Sequence, residues 1–229
     1  MKARMMFVTA ALTLLAAPAA LAQSAASNKA FFAKDTAGIV FAPVSGAGYS
    51  APITLISVPA AVKTSSGGAL SATLSMESLL STYNLTTAIV NGGKSSSSSR
   101  AGIKAWVEVD GVAMEPGMVV FNDRLQATGL TVNLTCSVPG TTCTVNGDIT
   151  LELFQATKSA NAFTFFLGPL SPIIHKVEVK AQAVIECRNN GTVVACPSST
   201  LDGYANASTQ AAIGKSTLMI EEQQNWGKQ

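Results

Sequence analysis

From residue 36 to residue 222 the chain repeats one device: short segments in which apolar and polar residues alternate, separated by Gly, Pro, Asn and Ser. A period of two puts successive side chains on opposite faces of an extended strand, so such text folds as half-buried β-sheet and not as helix. In residues 70–80, Leu70, Ala72, Leu74, Met76 and Leu80 share one face and Ser71, Thr73, Ser75 and Glu77 the other. Ile103, Ala105, Val107 and Val109 alternate with Lys104, Trp106 and Glu108. Leu130, Val132 and Leu134 alternate with Thr131, Asn133 and Thr135, and Ile149, Leu151 and Leu153 with Thr150 and Glu152. Phe163, Phe165 and Leu167 share a face, as do Val177, Val179, Ala181, Ala183 and Ile185.

Strands with one apolar face pair antiparallel, and two sheets laid face to face bury both apolar sides. The expected fold is therefore all-β: an antiparallel β-sandwich, jelly-roll or immunoglobulin-like, of roughly eight to ten strands. Asp110-Gly111 and Pro116-Gly117 mark tight turns. Residues 173–186 exceed a typical strand and are expected to carry a bulge or a bend. Asn91-Gly92-Gly93-Lys94 and the five serines at 95–99 read as a mobile low-complexity loop.

Lys2 and Arg4 precede an apolar run, and Ala20-Leu21-Ala22 has the small-x-small pattern of a signal peptidase site. Residues 1–22 are thus read as a secretory signal peptide, too short and too broken by Pro18 to span a bilayer. Residues 23–35 form a flexible N-terminal arm, 36–222 a single β-sandwich domain and 223–229 a polar tail. The expected localisation is secreted or periplasmic, with no integral membrane segment after cleavage. An outer-membrane barrel is disfavoured by an aromatic content of 6% and by turns too frequent for membrane-length strands.

Export fits four cysteines, an even number able to pair. Six residues including Pro139-Gly140 separate Cys136 from Cys143, and eight including Asn190-Gly191 separate Cys187 from Cys196. Turn residues between near neighbours favour those two local disulfides. Zinc would need tighter cysteine spacing or histidine partners, and the chain has one histidine. The loop aspartates Asp110, Asp123, Asp148 and Asp202 do not form a calcium loop, so no metal and no cofactor is expected.

Removing the first 22 of 229 residues takes away Lys2 and Arg4 and leaves 13 basic against 13 acidic residues. A neutral chain lacks the basic surplus that phosphate-backbone binding requires, which argues against nucleic acid as a partner. Charged residues are only 12% of the total, with 48% hydrophobic, the opposite of a disordered chain.

No nucleophile elbow is present, and His175, the one histidine, is placed on a half-covered rim at the start of its strand. Alternation puts Trp106 on the polar face between Lys104 and Glu108. There it either stacks on a sugar ring or covers a neighbouring strand, and Trp106, Lys104 and Glu108 are the ligand-binding candidates. Glu108 and Asp110 lie about 6.6 to 7 Å apart by strand rise, within the range of an inverting glycosidase pair.

The phrases Trp106-Val107-Glu108-Val109-Asp110-Gly111, Pro116-Gly117-Met118-Val119-Val120-Phe121-Asn122-Asp123-Arg124 and His175-Lys176-Val177-Glu178-Val179-Lys180-Ala181 resemble those of uncharacterised secreted bacterial β-sandwich proteins. The resemblance covers scattered phrases over about half of the mature chain. It implies a fold and transfers no catalytic residue. The functional expectation is an exported, non-catalytic binding or surface-associated module, its partner a glycan or another extracellular protein. The alternatives are a carbohydrate-active hydrolase and a self-assembling extracellular structural subunit.

Overall fold

The computed structural model describes residues 29–34, 39–41, 48–64, 68–88, 94–132, 149–201 and 204–223. The strands are β1 (Lys29–Lys34), β2 (Ile39–Phe41), β3 (Ile53–Lys63), β4 (Ala69–Thr87), β5 (Lys94–Val109), β6 (Val112–Ala113) and β7 (Val119–Thr131). They continue with β8 (Thr150–Leu167), β9 (Ile174–Asn189), β10 (Thr192–Val194), β11 (Ser198–Leu201), β12 (Tyr204–Ser208) and β13 (Gln210–Gln223). All pairings between them are antiparallel.

The first sheet runs β1–β13–β4–β8, with β2 beside β1 on the same edge of β13. The second runs β3–β9–β5–β7, with β10 and β6 extending its edges and β11 and β12 forming a separate ribbon. The count exceeds the eight to ten expected because short pieces such as β2, β6 and β10 continue an edge that a longer strand has left. The central pairs β4–β8 and β5–β9, with β7 beside β5, are those of an immunoglobulin-like sandwich. The outer strands depart from it. β3 precedes β4 in the chain but pairs with β9, and the last strand, β13, pairs with β4.

The two inner faces meet as the alternation requires. Leu70, Ala72, Leu74, Met76 and Leu80 of β4 pack against Ile103, Ala105, Val107 and Val109 of β5 and Val177, Val179, Ala181, Ala183 and Ile185 of β9. Each Leu, Ile, Val or Met side chain among them contributes roughly 1.5–3 kcal/mol by leaving water. Hairpins hold the register. Asp110-Gly111, at φ 50° and 84°, joins β5 to β6, and Asn190-Gly191, at 48° and 81°, joins β9 to β10. Positive φ at both central residues is the two-residue turn whose twist matches the strands.

Four expectations change. Lys29–Lys34, placed in the flexible arm, form β1 against Ser216–Glu221 of β13, because an edge of β13 offers a backbone ladder whatever the side chains. The serines at 95–99 are not a loop. They open β5 and pair with β7 on one side and β9 on the other, with Ser95, Ser97 and Ser99 buried. Residues 173–186 do form an over-long strand, but the irregularities in that pair are register shifts at 54–56 and 58–62 of β3, where Pro59 is tolerated because β3 is an edge. His175 is fully buried. The Cys136–Cys143 expectation and residues 1–22 lie outside the described residues.

Candidate functional site

Lys104, Trp106 and Glu108 do share the outer face of β5, but they are engaged there with one another's neighbours. Trp106 is only 8% exposed. Its indole N–H donates to Glu108 Oε1 at 2.7 Å, and Lys180 Nζ lies 2.6 Å from Glu108 Oε2. Burial alone would push the Glu108 carboxyl up, yet the ammonium of Lys180 and the indole N–H outweigh it and hold the group below its ordinary range. Glu108 in turn raises Lys180. Lys104 Nζ sits 4.0 Å from the centroid of the Tyr49 ring, a cation–π contact. With its edge closed by an ion pair and its face covered, Trp106 offers no open platform for a sugar.

Asp110 stands apart from Glu108 in its bonding. Its Oδ2 lies 2.6 Å from His175 Nδ1, and its Oδ1 accepts from the Lys176 N–H at 2.8 Å. The His175 side-chain hydrogen bond is the largest influence and lowers the Asp110 carboxyl; burial opposes it, and the Lys176 N–H and the nearby ring add to the lowering. Both carboxylates are thus favoured in their ionised form, whereas a glycosidase acid needs a raised one.

On its other side His175 Nε2 lies 3.0 Å from Thr64 Oγ1 and 3.0 Å from the Ser171 carbonyl, to which Thr64 itself donates at 2.6 Å. Asp, His and a hydroxyl in a row have the outline of a nucleophilic triad. The proton placement does not. The one Thr64 hydroxyl proton is spent on a carbonyl, so the hydrogen-bond network makes Nε2 a donor toward Thr64 and Ser171, and the ring cannot take that proton as a base. What this arrangement does is mechanical: it ties the end of β3, the β5–β6 turn and the segment before β9 at one end of the sandwich.

A cleft opens at the other end. Its volume is about 210 Å³, and Tyr83, Asn84, Ser97, Arg188, Asn189 and Pro197 are among its walls. The wall formed by 194–197 is pinned by the Cys187–Cys196 disulfide, the local pairing that the intervening turn implied. Beside it Thr209 Oγ1 accepts from the Tyr83 N–H at 3.1 Å and lies 3.5 Å from Cys187 Sγ, so the disulfide, β4 and the start of β13 form one frame. Burial, opposed by a hydrogen bond with Ser199 and aided by Glu152, raises the Tyr83 phenol and keeps it a neutral donor. Arg188 donates to Glu186 Oε1 at 2.6 Å and to the Gly191 carbonyl, so its charge is matched.

The sequence reading missed this cleft. Its components, a turn-closing disulfide and a serine run, were each visible; that they meet at one end follows only from β4, β5 and β9 lying side by side or face to face. Among the described residues no group of three or more His, Cys, Asp and Glu is placed to hold a metal ion. Compared with models of known protein families and with curated proteins, the chain matches none.

Proposed function

We propose that the protein is an exported, non-catalytic binding module whose ligand site is the cleft at the disulfide end of the sandwich. The observation that carries this reading is the cleft itself: a concave, framed space with neutral polar groups on its floor. The Cys187–Cys196 bond fits an oxidising compartment, and rigid strands that present a site at one end are a common binding scaffold. Glu108, Asp110 and His175, the groups that hydrolysis would need, are engaged elsewhere, Glu108 by Lys180 and Asp110 with His175 by their mutual hydrogen bond.

Ala195 is an exposed residue of the cleft wall, so Ala195→Trp fills the mouth without touching the core. Against a panel of monosaccharides, disaccharides and short peptides, the unaltered protein is expected to bind at least one member. The variant is expected to bind it at least tenfold more weakly at unchanged Tm. Equal binding by both proteins rules this cleft out.

A second reading, assembly by strand addition, is favoured by β8. Over residues 155–165 the edge of β8 away from β4 has no described backbone ladder, and the strand contains neither Pro nor Gly to discourage pairing. What reaches that side are side-chain bonds: Asn122 to Ser159 at 2.8 Å, Asn161 to the Phe121 carbonyl at 2.6 Å, and Arg124 to Thr157. Under this reading light scattering shows a mass that grows with concentration and falls to the monomer in Ala160→Lys. A constant monomer mass for the unaltered protein removes it.

A further inference from the structure

The interior between β4, β5 and β7 is polar where a sandwich core is ordinarily apolar. Asn84 donates to the Gln126 carbonyl at 3.1 Å and to Thr128 Oγ1 at 2.9 Å, Thr86 and Ser97 share a hydroxyl bond of 2.6 Å, and Ser97 lies 3.2 Å from Thr128. These groups form the cleft floor, since Asn84 and Ser97 line it. One residue pair deeper, Ser99 stands opposite Gln126 across the β5–β7 ladder, and Thr82 is the next inward residue of β4. A step of two residues is about 7 Å along a strand. There Thr82 Oγ1, Ser99 Oγ and both amide atoms of Gln126 are buried with no hydrogen-bond partner among the described residues. Gln126 is 7% exposed, and Thr82 and Ser99 are more buried still.

Buried polar atoms are almost always satisfied, and beside an open cleft a cluster that is not has an outside molecule, water or ligand, as its natural complement. The cluster offers hydroxyls that give or accept and one amide that does both. Neither the floor nor the cluster contains an acidic side chain to attract a cation. Arg124, one alternate position further along β7, donates to Thr157 and keeps its Nη1 buried without a partner among the described residues, one more N–H for a ligand hydroxyl, while Arg188 on the cleft wall is matched by Glu186. The complementary chemistry is a small molecule crowded with hydroxyls and carrying no charge.

We propose that the cleft continues inward to Thr82, Ser99 and Gln126 and takes a neutral polyhydroxylated ligand, a hexose ring, whose hydroxyls bond Asn84 and Ser97 at the floor and the three deeper residues beyond. The inference rests on the cleft being the ligand site and adds the class of ligand and the residues that recognise it.

The test is calorimetric titration of the purified protein with glucose, galactose and mannose, and with glucuronic and galacturonic acids in parallel. The expected result is binding of a neutral hexose, weakened at least tenfold in Gln126→Leu/Ser99→Ala while the Tm holds or rises, because unpartnered polar atoms have been replaced by apolar ones. Ser99→Ala alone, a smaller change, is expected to weaken binding about threefold. Hexose binding that the double variant leaves intact overturns the deeper subsite. Preference for the uronic acids overturns the neutral class. A peptide that binds and is blocked by Ala195→Trp, with no sugar bound, overturns the proposal while the cleft remains the ligand site. If nothing binds, and the double variant is only more stable, both readings fall and the layer is a hydrated core.

Discussion

Replacing Cys187 and Cys196 together by alanine is expected to lower stability by about 3 kcal/mol, the entropy regained by an unfolded chain freed from a closed loop of this size. The bond closes a sequence separation of nine, and Cys187 is buried. For a chain of this length the loss corresponds to a Tm lower by roughly 6–12 °C. Alanine is preferred to serine because a hydroxyl at the buried position would add an unsatisfied polar group. Urea unfolding of the variant beside the oxidised and the reduced protein checks the value. Under reducing conditions the variant and the unaltered protein should coincide, and a loss below about 1 kcal/mol between the two oxidised proteins would show that the native end of the sandwich holds without its staple. Ligand affinity should fall as well, since the wall at 194–197 would no longer be fixed to β9.

The second large effect is at the opposite end. Asp110→Asn keeps a residue type that tolerates the positive φ of the turn but places an amide where a carboxylate accepted from His175 Nδ1 and from the Lys176 N–H. The Asp110 side chain is 44% exposed, so solvent weakens the pair, while the imidazole it serves is only 2% exposed and has no other acceptor for that nitrogen among the described residues. A net loss of about 2 kcal/mol is expected, or roughly 4–8 °C. The sign of its pH dependence is fixed by the direction of the carboxyl's shift. Because the folded protein holds Asp110 below its unfolded value of about 3.9, the unfolded chain binds the proton first, and the contribution is complete above that value. It disappears as the pH falls through the folded value. Urea unfolding from pH 5 to pH 3 should therefore show a gap between the two proteins that closes below about pH 4. A gap of equal size at pH 3 and pH 5 would assign the effect to the turn and not to the carboxylate.

The alternation in β4, β5 and β9 announced both the sheets and their inward faces, because one apolar side is the whole signal and each of those strands has sheet packed on it. It was silent where the buried face is polar. Ser95, Ser97 and Ser99 occupy the same inward positions as Ile103 and Val107, but a serine looks alike buried or solvated, so that end of β5 read as loop. Trp106 and His175 show a related gap. The two-residue period gave the side of the sheet on which each points and set Glu108 beside Trp106; it could not report that Lys180 would close over one or that Asp110 and Thr64 would enclose the other, since those partners come from other segments. The Cys187–Cys196 bond was legible because turn chemistry and cysteines are neighbours in the chain.

The position of β13 has a consequence for how the molecule is made. Its fourteen residues occupy the interior of the first sheet, between β4, which they pair along most of its length, and the edge formed by β1 and β2. A chain emerging from its N-terminus thus reaches residue 209 with one side of β4 bare and β1 without a partner strand. Leu218 and Ile220, which finish the core, arrive last of all. A chain that stops at residue 209 lacks the keystone and not a trim, and this sandwich can close only once residues 210–223 have been made.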